Sequence, residues 1–313
     1  MRLEFLGTGT SAGVPALGCE CAVCTSPDPR DQRLRTSAAI RWTDAGGHER
    51  TVLIDCGPDF RQQALRARLR RLDAILFTHN HVDHTFGLDE VRRFNAVQKA
   101  AIDVYAEEHT LGFLRRVYEH IFDQHRNVND SFVATLIANR VQPGVAVPMH
   151  GVSFTPVRLL HGRLPIVGYR VEAEHAGSSA TPSVTLAEPR VPPPPHAGEG
   201  RDASGVGTGR SPVPPGPFPL AYCTDVSAVP PEAWGQLAGV RTLVLDALRH
   251  RHHPTHLTVS QAVSIAERIG AARTYFVHMS HDLAHEATQA ELPEGMFLAH
   301  DGLVLGEGGE ADQ

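Results

Sequence analysis

Residues 79 to 84 read HNHVDH, three histidines and an aspartate in six positions, directly behind the apolar run LDAILFT. A short apolar run bounded by polar residues has the pattern of a buried strand. Its end at Phe77 or Thr78 would deliver His79, His81, Asp83 and His84 onto one loop at a sheet edge, free of helical constraint. Imidazole nitrogen and carboxylate oxygen suit Zn, Mn, Fe or Ni, and residues two apart on an extended segment can reach the same ion. Four such groups exceed what one open catalytic ion needs, so two ions are implied. A cradle of this kind commits the chain to a sheet whose strand ends carry its chemistry.

The rest of the chain supplies such strands. Alternating apolar segments predict strands over Leu3 to Leu6, Ala38 to Trp42, Thr51 to Ile54 and Ala74 to Phe77, with DAGG (Asp44 to Gly47) as a hairpin turn between the second and third. Later strands are expected over Val152 to Leu160, Ile166 to Glu172, Leu220 to Thr224, Thr242 to Asp246 and Thr274 to Val277. Helical periodicity covers Phe60 to Leu69, Leu111 to Phe122, Pro230 to Leu237 and Val259 to Ile269. Hairpin-linked strands followed by alternating strand and helix imply an α/β architecture, a pair of mixed sheets with helices outside. One stretch departs from this pattern. Residues 176–218 hold ten of the 23 prolines, a composition that buries too little apolar surface to offset its ordering entropy. It is expected to be a disordered insertion, with His196 a solvated linker residue, and the tail GEGGEADQ (306–313) is expected to be disordered too. Residues 1–313 are otherwise read as a single hydrolase domain.

Charge and cysteine usage narrow the partners. The 313 residues carry a net charge of -6 with histidines neutral, and the acids are spread along the chain. This argues against a binder of duplex nucleic acid. MRLEFLGTGT reaches glycine too soon for a secretory signal, and no run approaches the roughly 20 apolar residues of a membrane span. Five cysteines, three of them in CECAVC, suit metal binding in a reducing compartment better than disulfides. The expectation is a cytoplasmic protein without membrane contact. Cys19, Cys21 and Cys24 offer three thiolates, and a fourth ligand would close a tetrahedral structural zinc site. His281 is the candidate, three residues after His278, so that one loop could serve both metal centres. Cys56 and Cys223 follow apolar strands and are expected to be core packing.

The H-x-H-x-D-H loop resembles the signature of the metallo-β-lactamase superfamily. That resemblance implies a four-layer αββα sandwich. It also implies that His79, His81 and His161 (in VRLLHG) hold a first metal and that Asp83, His84 and His278 (in TYFVHMSH) hold a second. Asp225 (in LAYCTDVS) would be shared between them. The combination of GTGTSAGVPALGCECAVC, HNHVDH, HPTH and HMSHDLAHE is similar to the phosphoribosyl 1,2-cyclic phosphate phosphodiesterases of bacterial carbon-phosphorus lyase pathways, over nearly the whole chain apart from the insertion. That family implies a structural zinc on Cys19, Cys21, Cys24 and His281. It also implies two divalent catalytic ions, Mn or Zn with Fe and Ni as further candidates.

The segment LRHRHHPTHLT adds His250, His252, His253 and His256. Expelling an alkoxide from phosphorus needs a proton, and histidine as a residue type can supply one near neutrality. By resemblance to the H-P-T-H motif, His256 is the donor and joins Asp83 as a catalytic residue. His250 and His252 are expected on an exposed loop, His253 is a candidate phosphate contact, Thr258 a candidate cap for the following helix, and His285 a helix-face residue. The implied reaction is attack of metal-activated hydroxide on a cyclic phosphodiester of a phosphorylated sugar, in phosphonate metabolism. A homodimer is a candidate assembly. Two other readings compete: a tRNA 3′-processing endonuclease, which shares the metal loop, and a non-catalytic accessory protein of the pyrroloquinoline quinone type, which shares the glycine and cysteine loops.

Overall fold

The computed structural model describes residues 1–123, 132–174 and 216–306. Fourteen strands form two seven-stranded sheets among these residues. The first sheet contains β1 (Arg2–Gly7), β2 (Ser37–Thr43), β3 (Glu49–Ile54), β4 (Ala74–Leu76), β5 (Ile102–Ala106), β6 (Leu136–Arg140) and β14 (Val304–Gly306), in the order β14-β1-β2-β3-β4-β5-β6. The second contains β7 (Val147–Met149), β8 (Val152–His161), β9 (Leu164–Ala173), β10 (Leu220–Cys223), β11 (Thr242–Asp246), β12 (Arg273–Val277) and β13 (Met296–Leu298), in the order β13-β12-β11-β10-β9-β8-β7. Each sheet is antiparallel on one side and parallel on the other.

The nine strands predicted from the sequence correspond to β1 to β4 and β8 to β12. Among the parallel strands β4 and the C-terminal half of β3 are continuously apolar and buried, as strands covered on both faces must be, whereas β5 alternates buried Ile102, Val104 and Ala106 with half-buried Asp103 and Tyr105. Leu3, Phe5, Ile40, Val52, Ile54 and Leu76 meet Phe154, Val167, Tyr169, Tyr222, Val244 and Val277 between the sheets. A separate apolar layer lies on the outer face of each sheet. Phe60, Leu88, Leu111 and Leu114 cover the first sheet from α1 (Phe60–Arg66), the turn at Leu88–Val91 and α4 (Glu108–Val117). Ala262 and Ala266 of α7 (Val259–Ile269) help to cover the second. These layers make an αββα sandwich, in which each fully buried Phe or Leu contributes about 1.5–3 kcal/mol.

Several expectations need correction. Asp83 and His84 do not lie on a loop free of helical constraint: they occupy a one-turn helix, α2 (Val82–Thr85). That turn is wedged against the segment after β3. A Cβ on Gly57 would stand 2.0 Å from the Asp83 carbonyl oxygen, so only glycine fits there. The helix expected over Leu111 to Phe122 begins earlier and is broken at Tyr118 into α4 and α5 (Glu119–Phe122). Tyr118 turns inward there, and its hydroxyl donates to the Thr85 carbonyl at 3.1 Å. Further helices are α3 (Arg92–Gln98), α6 (Trp234–Leu237) and α8 (His285–Glu291). Residues 176–215 of the expected insertion, with His196, and 307–313 of the expected tail lie outside the described residues. The ends of both stretches are part of the fold: Pro217 is buried, Phe218 packs against the inter-sheet core and Gly306 pairs with Arg2. Among the described residues no helix is long and apolar enough to cross a membrane.

Candidate metal centre

The strand ends deliver the site. His79 lies three residues beyond β4, His161 is the last residue of β8, and Asp225 and His278 follow β10 and β12. The ligand atoms of His79, His81 and His161 lie within 4.8 Å of one another, and so do those of Asp83, His84, Asp225 and His278. Asp225 also falls within that distance of His161 and His256, which places it between the two groups. The seven side chains singled out in the sequence therefore converge.

Backbone geometry shows what this convergence costs. Asp225 and His278 adopt φ of 58° and 61°, and Asp55 adopts 60° just beyond β3. Left-handed backbone is unfavourable for residues with a Cβ, and it persists where surrounding structure over-determines it. Three such residues, one at a strand end of the first sheet and two at strand ends of the second, converge on one cluster.

A layer of partners around the cluster fixes the imidazoles. Nδ1 of His79 faces the Thr78 hydroxyl at 2.9 Å, that of His84 faces Asp55 at 2.8 Å, and that of His161 faces the Thr255 carbonyl at 2.7 Å. Nδ1 of His278 lies 3.4 Å from Asp246. With Nδ1 of His79, His84 and His161 occupied, Nε2 is left for the interior; the buried Nε2 of His79 has no hydrogen-bond partner, and those of His84 and His278 lie 3.2 and 3.1 Å from Asp225 without hydrogen-bond geometry. Buried polar atoms without partners are costly. Imidazoles held through one nitrogen with the other free and convergent match the requirement of a metal ligand. The donor set therefore fits two divalent ions.

Electrostatics agree with that fit. Burial opposes ionisation of Asp225, yet His278 and His84 hold its carboxyl well below the usual carboxylate range. Burial and the neighbouring His84 drive the His79 imidazole well below its ordinary value. Against burial, Asp225 and Asp246 raise His278 to about 10.

Asp55 and Asp246 were not singled out as functional in the sequence. Both are fully buried. Asp55 accepts from the Thr78 backbone N–H and hydroxyl, each at 2.8 Å, as well as facing His84. Asp246 stands between two histidines: one oxygen faces His278, and the other lies 3.4 Å from His256 Nδ1 and accepts from the Leu257 N–H at 3.0 Å. The sequence signal for each is an aspartate at the end of an apolar strand, which alone does not separate a site residue from a turn residue.

His256 sits against the cluster, its ring centroid 4.6 Å from both His161 and His278. It is held three residues ahead of α7, whose start is fixed by a capping box between Thr258 and Gln261. The Thr258 cap expected from sequence is present. His253 is half-buried with its ring 5.0 Å from His256, whereas His250 and His252 are exposed. His285 is the first residue of α8 and is buried.

The second cluster lies on the same loop as His278. Sγ of Cys19, Cys21 and Cys24 stand 3.2, 3.6 and 3.3 Å from His281 Nδ1. Three sulfurs around one imidazole nitrogen fit a closed tetrahedral zinc site. The Cys24 N–H helps to lower the Cys21 thiol to about 6, towards the thiolate that zinc requires, whereas burial pushes the Cys24 thiol up to about 11. Arg33 is buried beside this loop and donates to the carbonyls of Ser280 and Leu283, bracketing His281, while pairing with Asp31 at 3.0 Å. Cys56 and Cys223 are packed in the apolar layers, as expected.

Residues 50–183 and 214–279 match the beta-lactamase superfamily domain. An octanoyltransferase of Porphyromonas gingivalis is 33% identical over 97% of this chain, and the chain spans 51% of that protein's length. The crystal structure of a diphosphatase from the PhnP family is 38% identical, with a TM-score of 0.75 over 97% of both chains. Zinc-bound PqqB from Methylobacterium extorquens is 20% identical, with a TM-score of 0.66 over 97% of this chain and 99% of its own, a likeness of fold.

Proposed function

Because this chain belongs to the beta-lactamase superfamily, we propose that it is a metal-dependent phosphodiesterase that opens a cyclic phosphodiester on a phosphorylated sugar, with 5-phosphoribosyl 1,2-cyclic phosphate as the favoured substrate. A metallo-β-lactamase-fold hydrolase related to a PhnP-family diphosphatase is the broader class to which it is assigned. The observation that supports the finer reading is His256, seated between the His/Asp cluster and the buried Asp246.

His79, His81 and His161 would hold one ion, Asp83, His84 and His278 the other, and Asp225 both. Two divalent ions would supply Lewis acidity towards a phosphoryl oxygen and lower the pKa of water to roughly 7. The chain's own residues do the rest. Asp55, Thr78, Thr255 and Asp246 orient the imidazoles through Nδ1. Asp246 likewise faces His256 Nδ1, leaving Nε2 to carry a proton to the substrate. When water adds to phosphorus and the endocyclic P–O bond breaks, the departing ribose oxygen takes that proton from His256 Nε2. The sugar hydroxyl leaves neutral, and a phosphate monoester remains.

The PhnP-family relative favours a second reading, hydrolysis of a diphosphate. The two differ in their need for a proton, because an alkoxide is a much poorer leaving group than a phosphate. The test is a comparison of wild type and His256→Ala, loaded with Mn or Zn, on the ribosyl cyclic phosphate, a cyclic nucleotide, a diphosphate diester and bis(p-nitrophenyl) phosphate. The proposal expects the highest kcat/KM on the ribosyl cyclic phosphate. It also expects loss of His256 to cost about 10²–10⁴-fold on that substrate and far less on the nitrophenyl ester. Equal losses on every ester would remove His256 as the proton donor, and preference for the diphosphate would replace the substrate class.

A further inference from the structure

On the outer face of the first sheet, α1, Leu69 and α3 enclose a concavity of about 440 Å³ that the proposed chemistry does not use. Its apolar wall is made by Phe60, Ala64, Leu65, Leu69, Phe94 and Val97. The Phe60 and Phe94 ring centroids stand 6.2 Å apart. Leu65 is 65% exposed and Val97 58%, so the wall continues to the surface as apolar area without cover among the described residues.

Charge decides what could occupy it. Arg61, Arg70 and Arg93 share the lining with a single acid, Glu90. Neighbouring arginines are already engaged: Arg66 pairs with Asp301, Arg71 with Asp73 and Arg92 with Asp89. Among the described residues Arg61, Arg70 and Arg93 have no such acid, so the lining carries excess positive charge. A guanidinium presents a planar fork of donors that matches a carboxylate, and its charge persists at any physiological pH. An apolar wall beside unpaired guanidiniums is complementary to a molecule with a greasy tail and an anionic head.

Size separates a small molecule from a protein partner. Ligand pockets span roughly 300–1,000 Å³, and this concavity falls within that range. Helix α1 has seven residues and extends only about 10 Å. That is short for a groove receiving anchors at i, i+4 and i+7 of a docked helix.

We infer that this pocket binds a free, single-chain carboxylate amphiphile of medium length, its tail against Phe60, Leu65, Phe94 and Val97 and its head at Arg61, Arg70 and Arg93. Calorimetric titration of the full-length, metal-loaded chain with dodecanoate, kept below its micelle-forming concentration, tests this. One saturable site per chain is expected, with butyrate failing to bind for want of a tail and dodecanol binding more weakly for want of charge. Arg61→Glu with Arg93→Glu should weaken dodecanoate at least tenfold, and Leu65→Asp, at an exposed position, should do the same without loss of melting temperature. Absence of saturable binding to the wild-type chain would overturn the inference, as would equal affinity in the variants. Two further results would reassign the surface: association with anionic vesicles but not with monomeric dodecanoate, or a dimer in sedimentation that Leu65→Asp dissolves and dodecanoate leaves intact.

Discussion

His285 should make the fold acid-sensitive well above the pH at which carboxylates titrate. The side chain is buried at the start of α8, and its Nδ1 has no hydrogen-bond partner. Burial, followed by the charges of Arg30 and Arg33, lowers its pKa from 6.5 to about 4. A histidine depressed in this way is neutral in the folded chain and protonates more readily in the unfolded one. Its contribution is therefore fully present above pH 6.5 and is lost as the pH falls through 6.5 towards 4. One pKa unit corresponds to about 1.4 kcal/mol, so the linkage amounts to about 1.4 kcal/mol at pH 5.5 and saturates near about 3 kcal/mol below pH 4. The assay is urea unfolding in excess zinc at pH 7.5 and 5.5, for wild type and His285→Leu. Other groups titrate equally in both proteins, so the difference between their pH-dependent losses isolates this residue. Wild type should lose about 1.4 kcal/mol more than the variant over that interval. Parallel losses would refute the reasoning and show that His285 is protonated, or reached by water, in the folded chain.

Three further outcomes follow from the geometry of the site. Gly57→Ala would place a methyl group 2.0 Å from the Asp83 carbonyl oxygen, so α2 must shift. Occupancy of one catalytic ion should fall in metal analysis, and activity should drop by about 10²-fold, as ångström-scale misplacement does. Thr258→Ala removes the capping box of α7 at a cost of about 1 kcal/mol, read as a melting temperature lower by about 2 °C. Hydrolytic activity should survive that change, because the Leu257 N–H still anchors to Asp246. Asp246→Asn leaves His256 Nδ1 and His278 Nδ1 facing an amide in place of a carboxylate, and kcat on the cyclic ester should fall with little change in KM.

Most of the site was legible because its strongest signal is local. His79, His81, Asp83 and His84 lie within six residues, and ligand spacing can be read along a chain. His161, Asp225 and His278 are single residues after apolar strands, which only resemblance to a known family picked out as a set. The fold shows why they belong together: their strands lie in one sheet, and two of them share left-handed backbone. Asp55 and Asp246 escaped notice because their roles depend on complete burial and on partners far along the chain, His84 for one and His256 and His278 for the other.

The strands that went unread have a different cause. β7, β13 and β14 have three residues each, too few to display a period, β6 is a half-exposed edge strand whose LIANR carries little apolar alternation, and β5 offers only three buried positions, Ile102, Val104 and Ala106, in five residues. The helix at Val82–Thr85 owes its single turn to packing against Gly57, which nothing in HNHVDH reveals.

Quantitative metal analysis of the purified chain, beside its Asp225→Ala variant, tests the dinuclear centre most directly. Three ions per chain are predicted, one at Cys19, Cys21, Cys24 and His281 and two at the His/Asp cluster, with the variant retaining the cysteine-bound zinc and losing the other two. A single zinc in both proteins, after loading with Mn or Zn, would contradict the dinuclear centre and leave a cysteine-stapled fold without hydrolytic machinery.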